Sequence, residues 1–295
     1  MMQKNMNKKY LQENMKKLIK ILKRDHFLIG EIFINEVINF YSHLIFIIQN
    51  IFGHYRFLKK NIELKNIYKN KRIIIIANGP SIKNFNLKKA QNEILIMVNK
   101  SFLHPDYEFL KPNFHIIVDP KLASGQWPLE YIDIIFKKNP DVKLILNANW
   151  YHLEKFNGLR KNKNVYWVKS KITSLYFKKF NNNLCSIFST LGVTGNAVSL
   201  ASYLGSKKIY ILGMELNGVI KMLNNEDSHF NGKDVDYDQH TILDWSRDLG
   251  HNARGLRYWY IFFQTLKKKD IHLINLSNTG LFNFVPTEDF NQLFK

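Results

Sequence analysis

Four short stretches of the 295-residue chain carry side chains whose type and order suit nucleotide-dependent group transfer. The first, Ile73-Ile74-Ile75-Ile76-Ala77-Asn78-Gly79-Pro80-Ser81, is a β-branched run that breaks into a tight turn. In an open α/β sheet the turn after such a strand lies at the carboxyl edge, where ligands bind. Gly79 lets the backbone approach a ligand, and Ser81 is expected to cap the next helix with amides facing an anion. Asn78 offers a bond to a ribose, a phosphate or a base. Neither the GxGxxG nor the Walker spacing is present, so ordinary dinucleotide and phosphoryl-transfer readings lack their signatures. A plain strand-turn-helix connection is the structural alternative.

Polar residues directly after two further apolar runs would reach the same edge: Asn99 after Ile94–Val98, and Asp119 after Phe114–Val118. Asn and Asp also end strands for local hydrogen-bonding reasons. The stretch Leu191-Gly192-Val193-Thr194-Gly195-Asn196 opens a helix with small residues and exposed amides, and Gly205 stops it. Thr194 and Gly195 are therefore candidates beside a ligand. The last stretch, Glu226-Asp227-Ser228-His229-Phe230-Asn231-Gly232, is a polar loop. Its His229 has the chemistry to remove a proton from an acceptor hydroxyl near neutral pH. One histidine among ten is otherwise a solvated loop residue.

Asp234-Val235-Asp236-Tyr237-Asp238 alternates acids in the way a hard cation requires. It follows no apolar run, and HExxH and CxxC spacings are missing, so no bound metal and no cofactor are expected. The single cysteine, Cys185, excludes an intrachain disulfide and reads as a small buried hydrophobe. The balance of 43 Lys and Arg against 24 Asp and Glu, a formal charge of +19, favours anionic partners without choosing among them. Aromatic residues interleaved on a basic strand face are not evident, so no nucleic acid partner is expected.

These candidates need a scaffold, and the hydrophobic pattern supplies one. From Lys71 onward, β-branched runs at Ile73–Ile76, Ile94–Val98, Phe114–Val118, Lys143–Leu146, Val165–Val168, Ile209–Leu212 and His272–Asn275 alternate with helix-length segments such as Leu129–Lys138, Thr194–Leu204 and Ala253–Lys269. That order predicts an α/β, Rossmann-like, mostly parallel sheet with helices on both faces over residues 71–295. Residues 1–70 form an N-terminal helical extension. It opens with a basic arm in which Lys4, Lys8, Lys9, Lys16, Lys17, Lys20, Lys23 and Arg24 face the single acid Glu13. Residues 27–52 then show a narrow polar stripe on a wide apolar helix, interrupted by Glu31 and Glu36. Such a helix suits an interface, either a membrane surface or another protein face including a second copy of the chain, better than a bilayer span. Residues 54–72 read as a basic connector. The first apolar run has no small-residue cleavage site after it, so a cytoplasmic location is expected, peripheral on the inner face of the membrane through residues 1–52.

Taken in order, the AsnGlyProSer turn, the strand ending at Asn99, the small-residue helix, the strand ending at Gly213 and the SerHisPhe loop resemble the bacterial lipooligosaccharide sialyltransferases. They are also similar to the related motility-accessory-factor and hydroxymethylpterin-diphosphokinase-like group, over about residues 72–286. The resemblance implies that Asn78, Gly79, Pro80, Ser81 and Asn99 bind a cytidine nucleotide, with Thr194 and Gly195 nearby. It implies that His229, flanked by Ser228, is the general base. The turn Ser277-Asn278-Thr279-Gly280 corresponds to one near the nucleotide. Where the sialyltransferases use a tyrosine pair on the leaving phosphate, this chain has Met214-Glu215-Leu216-Asn217, so Tyr237 or the basic His251, Arg254 and Arg257 would have to serve.

The expectation is an inverting glycosyltransferase that moves an acidic sugar from a CMP donor to a glycan or glycolipid acceptor, with Asp119, Ser228, Tyr237 and Arg254 on the substrate side. A pterin diphosphokinase-like enzyme and a non-catalytic basic surface binder are the alternatives. Donor, linkage and self-association stay open at this point.

Overall fold

Seven short runs of β-branched and apolar residues pair into one sheet in which every neighbouring pair is parallel. The computed structural model describes residues 26–171, 187–188, 191–233 and 240–295. The basic arm through residue 25, Cys185, Asp234, Asp236 and Tyr237 lie outside the described residues.

In chain order the elements are α1 (His26–Ile51), β1 (Arg72–Ile76), β2 (Ile94–Val98), α2 (Tyr107–Leu110), β3 (Phe114–Ile117), α3 (Pro120–Ser124), α4 (Glu130–Lys138), β4 (Lys143–Asn147) and β5 (Val165–Val168). A two-residue pairing of β6 (Ser170–Lys171) with β7 (Ile187–Phe188) follows. Then come α5 (Gly192–Tyr203), β8 (Lys208–Leu212), α6 (Gly218–Leu223), α7 (Ile242–Lys268) and β9 (His272–Asn275). The sheet order is β5-β4-β3-β2-β1-β8-β9. After β5 the chain crosses back to lie on the other side of β1, which makes the β1–β8 junction the topological switch point where α/β sheets bind ligands.

β3 and β5 are buried along their whole length, and β1, β2 and β8 are buried except at their first residue. Side chains that alternate faces yet are all buried require cover on both sides of the sheet, as parallel architecture demands. α5 supplies much of it, packing against β1, β2, β3 and β8. Its residues Gly195 through Tyr203 are all buried, Asn196, Ser199 and Ser202 included, so this stretch has no exposed face, a pattern proper to a central helix. α7 begins at Ile242 rather than near Ala253. A capping box explains the earlier start: Thr241 Oγ1 accepts from the Asp244 amide, while Asp244 Oδ2 accepts from the Thr241 amide.

Residues 54–72 differ from the expected connector. Arg56–Leu64 is a 3-10 helix that buries Leu58, Asn61 and Leu64. It is bound to the β5 edge by polar contacts from its own side chains: Asn61 Nδ2 donates to the Trp167 carbonyl at 2.8 Å, and Lys60 Nζ donates to the Lys163 and Val165 carbonyls. The compact unit holding the sheet therefore begins at Tyr55, and α1 belongs to a separate unit whose described residues end at His54. On α1, Phe33, Val37, Phe40, Leu44, Ile48 and Ile51 are all exposed. No helix among the described residues is long and apolar enough to cross a membrane.

Candidate functional site

The carboxyl ends of β1, β8 and β9 are joined by a chain of hydrogen bonds that includes both the carboxylate and the backbone carbonyl of Glu215. Past β1, the Ala77 amide donates to the Leu212 carbonyl and the Gly79 amide to the Gly213 carbonyl, both at 2.8 Å. This zips the Asn78–Ser81 turn to the end of β8. Glu215, 6% exposed, then folds its carboxylate into the turn, where Oε1 accepts from the Ser81 amide at 3.2 Å. A Cβ on Gly79 would stand 2.5 Å from Glu215 Cδ, so only glycine fits there. From the other side, the Leu281 amide donates to the Glu215 carbonyl at 2.7 Å. Gly280, at φ 78°, lies close enough that a Cβ would stand 2.6 Å from Glu215 Cβ. Ser277 closes the junction: its Oγ accepts from the Gly213 amide at 2.7 Å and pairs with Ser81 Oγ at 3.2 Å.

This geometry changes the expected part played by Ser81. Gly79, not Ser81, is the N-cap of the short 3-10 helix Pro80–Asn84, and the Ser81 amide is engaged by Glu215 rather than open to an anion. The turn is thus filled by the protein's own negative group. Of the β9 turn, Ser277 is buried, while Asn278, Thr279 and Gly280 are exposed at its tip.

The Ser228–Gly232 loop meets the same rim. The Phe230 amide donates to the Asn78 carbonyl at 2.9 Å, and Lys83 pairs with Asp227 at 3.1 Å. His229 is half-buried one residue from that bond, and an isolated bridge between His229 and Gly232 closes the loop. Asn78 Oδ1 and Ser228 Oγ are buried and have no hydrogen-bond partner among the described residues. Buried oxygens of this kind are rare in a finished core and mark places where a ligand or water completes the bonding. Arg254 is half-buried on α7, two residues after Asn252, whose Nδ2 donates to the Leu216 carbonyl.

Asn99 and Asp119 open instead into a cleft of about 300 Å³ over the ends of β2, β3 and β4. Asn147 and Asn196 supply its remaining polar lining, with Val118, Pro120, Gly192 and Val193 beside them. Asp119 Oδ1 caps α3 by accepting from the Lys121 amide at 3.0 Å. Asn196 Nδ2 donates to the Gly192 carbonyl at 2.8 Å. Thr194 is half-buried in the first turn of α5, and Gly195 is needed for packing, since a Cβ there would drive into the Leu191 side chain. Asn99 Oδ1 is a further buried oxygen with no partner among the described residues. Behind Asn99 lies His115, fully buried in β3, with its pKa pushed down to about 4 by burial, against which the hydrogen bond to the Asn99 carbonyl works weakly. Burial also pushes the Tyr107 hydroxyl up.

The candidates thus fall in two places along the sheet edge: Asn78, Gly79, Ser81, Ser228 and Ser277 at the β1–β8–β9 junction, and Asn99 and Asp119 in the cleft over β2–β4. Glu215, His115, Asn147 and Asn196 are the residues that sequence reasoning missed. Asn147 obeys the same strand-end rule that singles out Asn99 and Asp119. His115 is the one polar residue in the buried strand Phe114–Ile117. Among the described residues no group of three His, Cys, Asp or Glu stands close enough to hold a metal ion.

No curated protein matches the chain at a significant level. The family described as 6-hydroxymethylpterin diphosphokinase MptE-like matches residues 47–219, which span the 3-10 helix at Arg56–Leu64, strands β1 to β5, α5 and β8. The match includes Asn78–Ser81, Asn99, Asp119, His115 and Glu215, and ends before the His229 loop and the β9 turn. With more than half its length under that match, on the parallel sheet and switch-point junction just described, the chain belongs to the MptE-like family.

Proposed function

We propose that this chain is a nucleotide-dependent transferase whose favoured reaction is transfer of an acidic sugar from a CMP donor to a hydroxyl of a glycan or glycolipid. The acceptor oxygen attacks the anomeric carbon, its proton passes to the His229 imidazole, and the bond from the anomeric carbon to the phosphate oxygen breaks to release CMP with inversion. Asn78, Asn99 and the Ser277–Gly280 turn contact the nucleotide, Asp119 and Ser228 contact the sugar or acceptor, and Arg254 stabilises the departing phosphate. The observation that carries this reading is the 2.9 Å bond from the Phe230 amide to the Asn78 carbonyl, which ties the loop of the base to the nucleotide turn. The cleft lining adds support, since among the described residues it has three side-chain amides, one carboxylate and no Lys or Arg, which suits a neutral ring or sugar more than a triphosphate.

A second reading follows from the family match. In it the hydroxyl of a 6-hydroxymethylpterin attacks the β-phosphorus of ATP, diphosphate is transferred and AMP leaves, with His229 again receiving the proton. One experiment separates the two: purified protein is offered CMP-sialic acid with lipooligosaccharide acceptors, and ATP with 6-hydroxymethylpterin. CMP release favours the first reading and AMP release the second. His229→Ala should keep nucleotide binding while turnover falls about a hundredfold or more. Full turnover in that variant removes the base. On this reading the enzyme works at the inner membrane surface, to which the exposed apolar side chains of α1 and the Lys-rich arm before it are suited.

A further inference from the structure

β2 leaves the sheet through a step that most residues resist. Asn99 has φ 47°, in the left-handed region. Asn tolerates that region better than other side-chain-bearing residues, yet it still has to be held there. The holding contact comes from the neighbouring strand. His115 Nε2 lies 2.8 Å from the Asn99 carbonyl, and His115 Nδ1 lies 3.1 Å from the Tyr107 hydroxyl. His115 and Tyr107 are both 0% exposed. A carbonyl only accepts, so Nε2 carries the proton, Nδ1 is the acceptor, and the Tyr107 hydroxyl donates to it. One arrangement of protons satisfies all three groups. With its carbonyl fixed in this way, Asn99 lines the cleft and its buried Oδ1 is left with no partner among the described residues.

We propose that His115, oriented by Tyr107, is a positioning residue that locks Asn99 in its left-handed conformation so that the Asn99 amide is preset for a ligand in the cleft. The functional half of this inference rests on the reading of Asn99 as a nucleotide contact. The device gains binding by preorganisation: the ordering of the strand end is complete before the ligand arrives.

The test is a coupling measurement. CMP and ATP are titrated calorimetrically into wild type, His115→Met, His115→Gln, Tyr107→Phe, Asn99→Gly and the double variant His115→Met with Asn99→Gly. His115→Met should weaken binding about tenfold, within the range measured for coupled neighbours. His115→Gln, which keeps an N–H for the carbonyl, should stay within about threefold of wild type. Glycine adopts φ 47° unaided and has no amide to present, so His115→Met should cost nothing further in the Asn99→Gly background. Equal losses in both backgrounds, or unchanged binding in His115→Met, overturn the proposal. If His115→Met does not fold, Tyr107→Phe, which keeps the ring, takes its place in the same cycle. Should Asn99→Gly bind nucleotide like wild type, the nucleotide reading fails, and a crystal structure of His115→Met, or of Tyr107→Phe if that variant replaces it, decides the conformational claim. Asn99 leaving the left-handed region supports the lock, and Asn99 unchanged in φ refutes it.

Discussion

Replacing Gly79 with alanine isolates the packing of the rim from backbone conformation. Gly79 has φ −64° and ψ 153°, which any L-residue adopts, so the substitution brings no torsional penalty. Restricting the unfolded chain would by itself stabilise the variant by about 0.4–1 kcal/mol. The steric consequence runs the other way. The new methyl would stand 2.5 Å from Glu215 Cδ and also intrude on the Gly213 carbonyl. That carbonyl already receives the Gly79 amide, so it cannot retreat without opening the end of the β1–β8 pairing. Glu215 can swing away, but this strips the buried Ser81 amide of its acceptor, a loss of about 1–3 kcal/mol. Residual overpacking against Gly213 adds about 1–3 kcal/mol. The expected net effect is a loss of about 3 kcal/mol, read as a lower urea midpoint at unchanged slope.

A double-mutant cycle with Glu215→Ala sharpens the test, because removing the carboxylate relieves one of the two clashes and has already orphaned the Ser81 amide. The cost of Gly79→Ala in that background should therefore fall by at least about 1 kcal/mol. A Gly79→Ala variant within about 0.5 kcal/mol of wild type, the range of ordinary surface changes, would show that the rim does not close on Glu215 as described.

Three further outcomes are expected. His115 titrates near 6.5 when unfolded and near 4 in the fold, so the unfolded chain holds the extra proton between those values; the stabilisation is complete above pH 6.5 and is lost as pH falls toward 4. The gap amounts to about 3 kcal/mol at about 1.4 kcal/mol per pH unit, and His115→Gln should flatten the acid limb of stability measured by denaturant midpoints between pH 7 and pH 4.5; identical limbs would contradict the buried neutral imidazole. Ser228→Ala deletes a buried hydroxyl with no partner among the described residues, so thermal stability should hold or rise slightly while transfer rate drops several-fold; a clear loss of stability would show that the hydroxyl is a structural group. Removing residues 1–52 should abolish co-sedimentation with phosphatidylserine vesicles that the full chain shows at low salt and loses at high salt; vesicle binding by the truncated chain would move the membrane contact elsewhere, and a full chain that ignores vesicles but forms dimers lost on truncation would assign the apolar helix to self-association.

The seven strands were legible because a strand buried on both faces writes itself as a continuous β-branched run, and each run from Ile73 to Asn275 matches its strand to within a residue at either end. Asn78, Asn99 and Asp119 were legible by a local rule, polar residue after apolar strand. The docking of residues 55–70 was not, since it depends on Asn61 and Lys60 finding backbone carbonyls about a hundred positions away on β5. The start of α7 was hidden by Gly250, which weakens a helical pattern that the Thr241–Asp244 box nevertheless nucleates. Glu215 was hidden for a related reason. Its neighbours Ser81 and Gly280 come from opposite sides of the switch point, and nothing in the Met214-Glu215-Leu216 sequence announces that one turn will bind its carboxylate and another will close on its backbone.

That carboxylate bears on how a nucleotide would lie. A turn whose amide is already engaged by a negative group repels a second anion, so on the proposed reading the AsnGlyProSer turn holds uncharged parts of the ligand through Asn78 and not its phosphates. The cleft at Asn99, Asp119, Asn147 and Asn196 has the same character, with amides that pair with ring edges or sugar hydroxyls. On that reading the phosphate oxygens fall to Arg254 and Arg257 of α7, the helix whose Asn252 donates to the Leu216 carbonyl past the end of β8. On the proposed reading the bond that breaks joins the sugar to the phosphate, so the reacting centre would lie between the amide-lined cleft and those cations. The His229 loop is tied to the Asn78 turn through the Phe230 amide.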